Sequence, residues 1–171
     1  FPGSRKGEIS RMLPVFCETL KVIQQDHKHI KFVCLTLPRL KSFLVKSFKE
    51  NEINVLVVDQ IDDKPSMIGA MDYAIATSGT IGFELSLAKI PHIVAYKMNW
   101  FSRALAKFLV KTPYMHLTNI HLKAEVVPEF FQENCTPQKL TKVCSKLIKD
   151  EDFRKQQISS FNELLSLLRV K

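Results

Sequence analysis

The sequence lacks several patterns that would assign it to a well-defined class of protein. It has no apolar run of the roughly 18 residues that a membrane-spanning helix needs, and no signal peptide is visible. Its four cysteines include no C-x-x-C pair, and neither they nor the five histidines have the spacing of metal ligands. We therefore expect reduced thiols in a cytosolic protein, and no metal site.

Motifs of nucleophilic catalysis and of phosphate-binding P-loops are also missing. No histidine stands with a nucleophile and an acid in a recognisable triad, "ATSGT" is not a G-x-S-x-G elbow, and no Walker A motif occurs. A basic block interleaved with aromatic residues is absent as well. This makes nucleic acid the weaker choice among anionic partners.

What the sequence does have is an excess of positive charge on a chain of single-domain length. The 171 residues carry a formal net charge of +8, with 46% apolar and 25% charged residues. The length suits one domain with a sizeable core. The charge favours an anionic partner such as a nucleotide phosphate, a nucleic acid or an acidic membrane surface, without choosing among them.

The first 96 residues alternate between short apolar runs and helical periodicity. We expect strands at 31–37, 54–58, 73–77 and 92–96, with helices between them. Such an alternation predicts an α/β fold, a parallel sheet with helices on both faces. Residues 97–171 are expected to be mainly helical and to belong to the same domain, with helices in "WFSRALAKFLVK", "VVPEFFQ", "TPQKLTKVCSKLIKD" and "EDFRKQQISSFNELLSLLRV" and an extended piece in "YMHLT".

Ligands of doubly wound sheets bind beyond the carboxyl ends of the strands, so the loops after strands are the places to search. The stretch "PGSR" opens the first helix. Gly3 allows close backbone approach, Ser4 can cap the helix or donate to an oxygen, and Arg5 offers donors suited to phosphate. A helix start also attracts anions. The alternative interpretation is a plain helix N-cap.

The stretch "TSGTIGFELSLAK" repeats this arrangement after the third strand. Ser78, Gly79 and Thr80 open a helix, where backbone N–H groups and hydroxyls can meet a diphosphate. Glu84 interrupts an otherwise apolar helix, and its carboxylate can accept both hydroxyls of a ribose. A surface glutamate near a helix N-terminus is the alternative, because that position is electrostatically favourable for an acid.

Two later stretches are weaker candidates. Asn119 follows Thr118 in a polar turn and can bridge donors and acceptors of a ligand, although Asn also favours turns for their own sake. Glu129 and Gln132 are expected on one helical face. The segment 100–111 resembles a basic amphipathic helix, for which core packing is favoured over contact with an anionic membrane.

These motifs in their order resemble the bacterial lipid-A-disaccharide synthase family. The resemblance runs from Phe1 to about Leu147 through "FPGSRKGEI", "ATSGTIGFELSLAKIPHIVAYKMNWF", "LVKTPYMHLTNI" and "EVVPEFFQENCTP". It implies the carboxyl-terminal, UDP-sugar-binding half of an inverting glycosyltransferase of the GT-B architecture, a Rossmann-like fold. The amino-terminal acceptor half would then be absent, and the strand that leads into Phe1 would be cut, exposing apolar surface.

The resemblance also implies a reaction and its setting. The donor would be UDP-2,3-diacylglucosamine, the acceptor 2,3-diacylglucosamine 1-phosphate, and the products the lipid A disaccharide and UDP. No metal or other cofactor would be needed. The enzyme would work at the cytoplasmic face of the Gram-negative inner membrane, as a peripheral protein on an anionic surface. Nucleic acid is not an expected partner, and a homo-oligomer is left open.

Matched by motif, the resemblance assigns residues to the UDP-sugar site: Gly3, Ser4, Arg5, Ser78, Gly79, Thr80, Glu84, Asn119, Glu129 and Gln132. Arg5 would stabilise the leaving diphosphate and Glu84 would bind the ribose, whereas the general base would lie in the other half. Thr118 stands where the family usually has Pro, and Lys123 with Ala124 where Gly-Arg is common. Another UDP-sugar enzyme and a non-enzymatic basic module binding membrane or nucleic acid are the alternatives.

Overall fold

The computed structural model describes residues 1–59, 64–77, 79–98 and 113–169. The helices in these ranges are α1 (Lys6–Asp26), α2 (Pro38–Glu50), α3 (Lys64–Gly69), α4 (Thr80–Leu87), α5 (Leu117–Leu122), α6 (Pro137–Lys149) and α7 (Glu151–Arg169). The strands are β1 (Phe32–Leu35), β2 (Val55–Val58), β3 (Ala74–Ala76), β4 (His92–Tyr96) and β5 (Glu129–Phe131), and a short 3₁₀ helix spans Gln132–Asn134.

All described strand pairings are parallel. β1 pairs with β2, and a second sheet has the order β3-β4-β5. The central strand β4 shows that both sheet faces are covered, because successive residues of a strand point to opposite faces. Its Ile93 and Ala95 pack with α1 and α6, whereas Val94 packs with Phe161 of α7. The predicted α/β architecture, with its four strands, is confirmed.

The predicted helix in "VVPEFFQ" is wrong. Residues Glu129–Phe131 form β5, which pairs with β4 in the register Val94 to Glu129 and Tyr96 to Phe131. The free edge of β4 offers these residues a hydrogen-bonding partner, and tertiary pairing of this kind overrides weak local propensity. Glu129 and Gln132 therefore do not share a helical face.

The extended piece expected in "YMHLT" is shorter than predicted. His116 has extended dihedral angles, but Leu117 and Thr118 already belong to helix α5. The amphipathic helix expected at 100–111 lies outside the described residues. Among the helices that the structure describes, none is both long enough and apolar enough to cross a bilayer.

Phe1 lies beside strand β3, on the side of that strand that faces away from β4. Its nitrogen donates to the carbonyl of Ile75 at 2.9 Å, and its own carbonyl accepts from the Thr77 nitrogen at 3.0 Å. This is the hydrogen-bonding pattern of a parallel ladder, on the edge of β3 that β4 does not use. The described strands nevertheless form two sheets, with a gap between β1 and β3.

Candidate anion-binding site at the carboxyl edge of the sheet

Two turns lie side by side at the carboxyl end of β3. The first turn is residues 2–5, before α1, and the second turn is residues 77–80, before α4, of which Ser78 lies outside the described residues. The Thr77 hydroxyl donates to the Phe1 carbonyl at 3.4 Å. A Cβ placed on Gly3 would lie 3.5 Å from the Thr77 hydroxyl oxygen. The structure therefore brings together the first two motifs found in the sequence.

Each turn depends on a glycine with a positive φ. Gly3 has φ +114° and Gly79 has φ +143°, values that side-chain-bearing residues rarely adopt. At Gly79 no atom lies within 4 Å of the place where a Cβ would stand, so the backbone there is open to approach. At Gly3 the same place is 3.3 Å from Glu8 Oε2, so of the two glycines it is Gly79 that exposes main chain next to a helix start.

Neither helix start is capped by a side chain. The N-cap of α1 is Arg5 and that of α4 is Gly79, and neither makes a side-chain cap hydrogen bond. The prediction that Ser4 caps the helix is wrong, because the helix begins one residue later than a Ser4 cap requires. Uncapped N–H groups and the positive end of the helix dipole favour an anion at both starts.

The carboxylate of Glu8 orients the first turn. Its Oε1 accepts from Arg5 Nη1 at 3.2 Å and from the Tyr96 hydroxyl at 3.4 Å. The Arg5 side chain is 80% exposed and that of Glu8 only 17% exposed. Burial and the neighbouring Glu8 raise the pKa of Tyr96, so its hydroxyl stays protonated and donates. Arg5 is therefore held at the edge with most of its surface open to solvent.

Further basic residues converge on the same edge from other strands. Arg39, just after β1, donates from Nη2 to the Ser4 carbonyl at 3.0 Å. Arg11 donates from Nε to the carbonyl of Lys97, which follows β4, at 3.2 Å. Sequence reasoning missed Arg39, although the rule of searching loops that follow strands would have found it in "LPRLK". These residues add to the positive charge around the first turn.

Glu84 lies one turn inside α4, as predicted, and forms an ion pair. Its Oε2 is 2.5 Å from Lys64 Nζ, and both side chains are about two-fifths exposed, 41% and 42%. Its neighbour Leu85 is completely buried. The carboxylate is thus accessible at the end of the sheet, as a ribose ligand would require, and Lys64 holds one of its oxygens.

Asn119 is fully buried, and its amide is saturated by the chain itself. Its Nδ2 donates to the Val127 carbonyl and to Glu129 Oε1, both at 2.7 Å. Its Oδ1 accepts from the Val126 and Val127 nitrogens, both at 2.9 Å. An asparagine side chain can make four hydrogen bonds, and all four are used. Direct ligand binding by Asn119 stays a prediction, but in this structure the amide has no free group to offer.

Glu129 and Thr118 belong to the same buried network. The Glu129 carboxylate accepts from the Met115 and His116 nitrogens at 2.9 and 3.0 Å. Thr118 donates to the Ser86 hydroxyl of α4 at 2.7 Å. These bonds tie the segment before α5 to β5 and to α4, so we assign both residues a positioning role.

Gln132 lies apart from that network, at the carboxyl edge. It directly follows Phe131, which pairs with Tyr96, so it lies next to the start of the loop that follows β4. Its φ of +50° is unusual for a residue other than glycine. Of the three site residues predicted from the later motifs, Gln132 is therefore the one that follows the carboxyl end of a strand.

Two buried histidines lie next to α4, and sequence reasoning missed them because they form no motif. The Nε2 atoms of His92 and His116 are 3.4 Å apart, and His92 Nδ1 donates to the Ile90 carbonyl at 2.8 Å. Burial lowers the pKa of His92 to about 3 and that of His116 to about 4, so both are neutral at pH 7. Gly82 of α4 packs directly on the His116 ring.

The four cysteines and the metal question concern the core rather than this edge. All four cysteines are buried and unpaired, and burial raises the pKa of Cys144 to about 12. In the described ranges, no group of three or more His, Cys, Asp or Glu side chains is arranged to hold a metal ion.

Comparison with known proteins gives one consistent family. The family model described as lipid-A-disaccharide synthetase matches residues 1–171. The lipid-A-disaccharide synthase of Gluconobacter oxydans is 34% identical over 98% of this chain and 40% of its own length. That of Rhodospirillum centenum is 30% identical over 95% of this chain and 41% of its own length.

A plant protein also matches. The probable mitochondrial lipid-A-disaccharide synthase of Arabidopsis thaliana is 31% identical over 98% of this chain and 37% of its own length. The chain therefore spans about two-fifths of the length of the curated relatives it matches.

Proposed function

The chain belongs to the lipid-A-disaccharide synthase family, and from this premise we propose that it is the UDP-sugar-binding part of an inverting glycosyltransferase of lipid A biosynthesis. The donor is UDP-2,3-diacylglucosamine, the acceptor 2,3-diacylglucosamine 1-phosphate, and the products are the lipid A disaccharide and UDP. The reaction takes place at the cytoplasmic face of the inner membrane, where the enzyme is peripheral. Both substrates are lipids, and the net charge of +8 suits an anionic surface.

The observation that carries this proposal is the pair of uncapped helix starts beside Arg5. A UDP leaving group gains negative charge as the bond to the sugar breaks. N–H groups of the first and second turns, two helix dipoles and a guanidinium all meet that charge without reorganising. Glu8 holds Arg5 in place at 3.2 Å, which lowers the entropy lost on binding.

The remaining roles follow from position. Glu84, accessible at the start of α4, accepts the ribose hydroxyls while Lys64 keeps its second oxygen oriented. Gln132 contributes from the end of β5, whereas Asn119 and Glu129 hold the loop behind it. The general base that takes the proton of the acceptor hydroxyl is assigned to the part of the relatives' length that this chain does not span.

Calorimetric titration with UDP tests the site. Arg5→Ala and Glu84→Ala should each weaken UDP binding about tenfold to a hundredfold, because each removes a charge-assisted hydrogen bond. Arg169→Ala, an equal loss of charge at the end of α7, is the matched control and should change UDP affinity less than twofold. The free energy of unfolding of Arg5→Ala should stay within about 0.5 kcal/mol, because the side chain is exposed. Unchanged UDP affinity in both site variants would refute the assignment.

The finer claim, the identity of the sugars, needs a different measurement. Product analysis with the full-length enzyme should yield the lipid-linked disaccharide together with UDP in equal amounts. Release of UDP without that disaccharide would instead favour another UDP-sugar enzyme built on the same site.

A further inference from the structure

The start of helix α2 lies next to the first turn but is not part of it. Arg39, the second residue of α2, reaches across to the Ser4 carbonyl at 3.0 Å. The N-cap of α2 is Leu37, which has no side-chain oxygen, and Pro38 at the first position has no N–H. This helix start therefore has no side-chain cap, and the positive end of its dipole is available to an anion.

A buried hydroxyl group lies directly before this helix. Thr36 continues the ladder of β1, because its nitrogen donates to the Val58 carbonyl at 2.9 Å. Thr36 is only 7% exposed, and its Oγ1 has no hydrogen-bond partner within the described ranges. Phe32 and Cys34 of β1 pack on the side of α1 and α2, so by alternation the Thr36 side chain points to that side, beneath the start of α2. A buried hydroxyl of this kind gains a hydrogen bond when a ligand oxygen arrives.

Two cationic side chains converge on the same place. Arg39 is exposed and uses one nitrogen, Nη2, for its bond to Ser4, which leaves its other N–H groups for a ligand. Lys6 of α1 reaches across to α2, where its Nζ lies 5.4 Å from the centre of the Phe43 ring, one turn after Arg39. In the ranges that the structure describes, neither cation forms an ion pair. Two like charges brought together without an acid favour an anion between them.

We propose that Thr36, Arg39, Lys6 and the start of α2 form a second anion subsite, which binds a phosphate monoester, the 1-phosphate of the acceptor sugar. Thr36 donates its hydroxyl, Arg39 donates the free part of its planar fork, and Lys6 balances the second negative charge. The donor diphosphate stays at the first and second turns. This inference rests on the proposed function, from which the identity of the phosphate-bearing acceptor is taken.

The spacing of the two helix starts suits two different phosphates. Helices α1 and α2 pack through a shared core that includes Ile9 and Leu44, and the axes of packed helices lie about 10 Å apart. In the acceptor, the sugar ring separates the 1-phosphate from the 6-hydroxyl that attacks the donor. The acceptor phosphate therefore cannot take the place of the leaving diphosphate, and it needs a neighbouring site of its own.

Titration with glucosamine 1-phosphate, the water-soluble head group of the acceptor, tests the proposal. Amide NMR signals are followed in the chain alone and in the chain saturated with UDP. The Thr36 and Arg39 amides should shift in both titrations, and saturation with UDP should change the affinity for glucosamine 1-phosphate less than about threefold, because the two anions occupy separate sites. Glucosamine without the phosphate is the ligand control and should leave both amides unshifted.

Substitutions assign the subsite to its residues. Arg39→Gln should weaken binding of glucosamine 1-phosphate about tenfold, and Thr36→Val, which keeps the shape of the side chain, about threefold to tenfold. Lys49→Gln, an equal loss of charge at the other end of α2, is the matched control and should change the affinity less than about twofold. Arg5→Ala should show the converse pattern, a larger loss for UDP than for glucosamine 1-phosphate.

Three outcomes would overturn the proposal. Displacement of glucosamine 1-phosphate by UDP would place both anions in one site at the two turns. An equal loss of affinity for both ligands in Arg39→Gln would show that Arg39 only positions the first turn through Ser4. Unchanged affinity in Thr36→Val and Arg39→Gln would remove the subsite altogether. A failure of the proposed function looks different, because the unsubstituted chain would then bind no UDP while the Thr36 and Arg39 amides still respond to glucosamine 1-phosphate.

Discussion

The turns at the carboxyl edge and the network around Asn119 are both rich in polar groups, but they differ in how many of those groups are already used. The Arg5 side chain is 80% exposed and makes its ion pair with Glu8 from one of its nitrogens. Asn119 is 0% exposed, and all four of its hydrogen-bonding positions are filled by the chain. The first arrangement keeps capacity for a ligand, and the second has none left.

The comparison separates two reasons why a polar residue occurs in a family motif. A residue at the edge is expected to affect binding with little effect on folding, because its desolvation and pairing await the ligand. A residue in the network is expected to affect folding first, because removal of one partner leaves other buried groups without a hydrogen bond. The predictions below concern the network around Asn119. Each has an outcome that would contradict the claim that network residues affect folding before binding.

The largest effect is expected from pH. Burial lowers the pKa of His92 to about 3 and of His116 to about 4, whereas both titrate near 6.5 in the unfolded chain. Below pH 6.5 the unfolded state therefore binds protons that the folded state does not, and stability falls as the pH falls towards 4. The loss should be roughly 3 kcal/mol per histidine by pH 4, measured by urea unfolding across this range.

The control for the pH effect is His29→Gln, which removes an exposed histidine and should leave the pH profile unchanged. A free energy of unfolding that stays constant between pH 6.5 and 4 would show that the two buried rings do not remain neutral. In that case the network around Asn119 would tolerate a charged group, as the exposed turns at the carboxyl edge do.

The next largest effect is expected for Asn119→Ala. The substitution removes the side-chain acceptor of the Val126 and Val127 nitrogens and one of the donors to the Glu129 carboxylate, at a cost of about 3–5 kcal/mol in the free energy of unfolding. Asn162→Ala, an exposed asparagine on α7, is the matched control and should change it by less than about 0.5 kcal/mol. A stable Asn119→Ala protein with lost UDP binding would place Asn119 with the edge residues instead.

Gly82→Ala tests how tightly the network is packed against α4. The new Cβ would lie 2.5 Å from His116 Nε2, and His116 is itself packed against His92. We expect a loss of about 2–3 kcal/mol by urea unfolding, because neither ring has space to move. Gly7→Ala, also in a helix but exposed, should be neutral or stabilise by up to about 1 kcal/mol. Equal changes in the free energy of unfolding for the two variants would show that the side chains around Gly82 can shift to accommodate a methyl group.

The parts of this arrangement that sequence could predict are those governed by periodicity and by single-residue chemistry. The four strands of the first 96 residues follow from apolar runs, and Glu84 stands out because it interrupts one face of a helix. Pairing decided the rest: "EFF" is a strand only because β4 offers it an edge, and Asn119 is saturated only because Val126 and Val127 fold back onto it. No rule of residue spacing predicts either the pairing of β5 with β4 or the hydrogen bonds of Asn119.

The smallest predicted effect concerns the turn at the end of α5, which leads into Val126 and Val127. Lys123 ends α5 with φ +53°, a left-handed conformation that favours glycine. Left-handed geometry costs a side-chain-bearing residue about 1 kcal/mol. Lys123→Gly should therefore raise the free energy of unfolding by about 0.5–1 kcal/mol, the gain being reduced by the greater freedom of glycine in the unfolded chain. Lys142→Gly, inside α6, is the matched control and should lower it by about 1 kcal/mol. Because Ala124 donates to the Asn119 carbonyl at 3.2 Å, a stabilised turn should also slow exchange of the Val126 and Val127 amides. If Lys123→Gly destabilises the protein as much as Lys142→Gly does, then the Lys123 side chain stabilises the turn. The hydrogen bonds of Asn119 would then not be enough to hold the network by themselves.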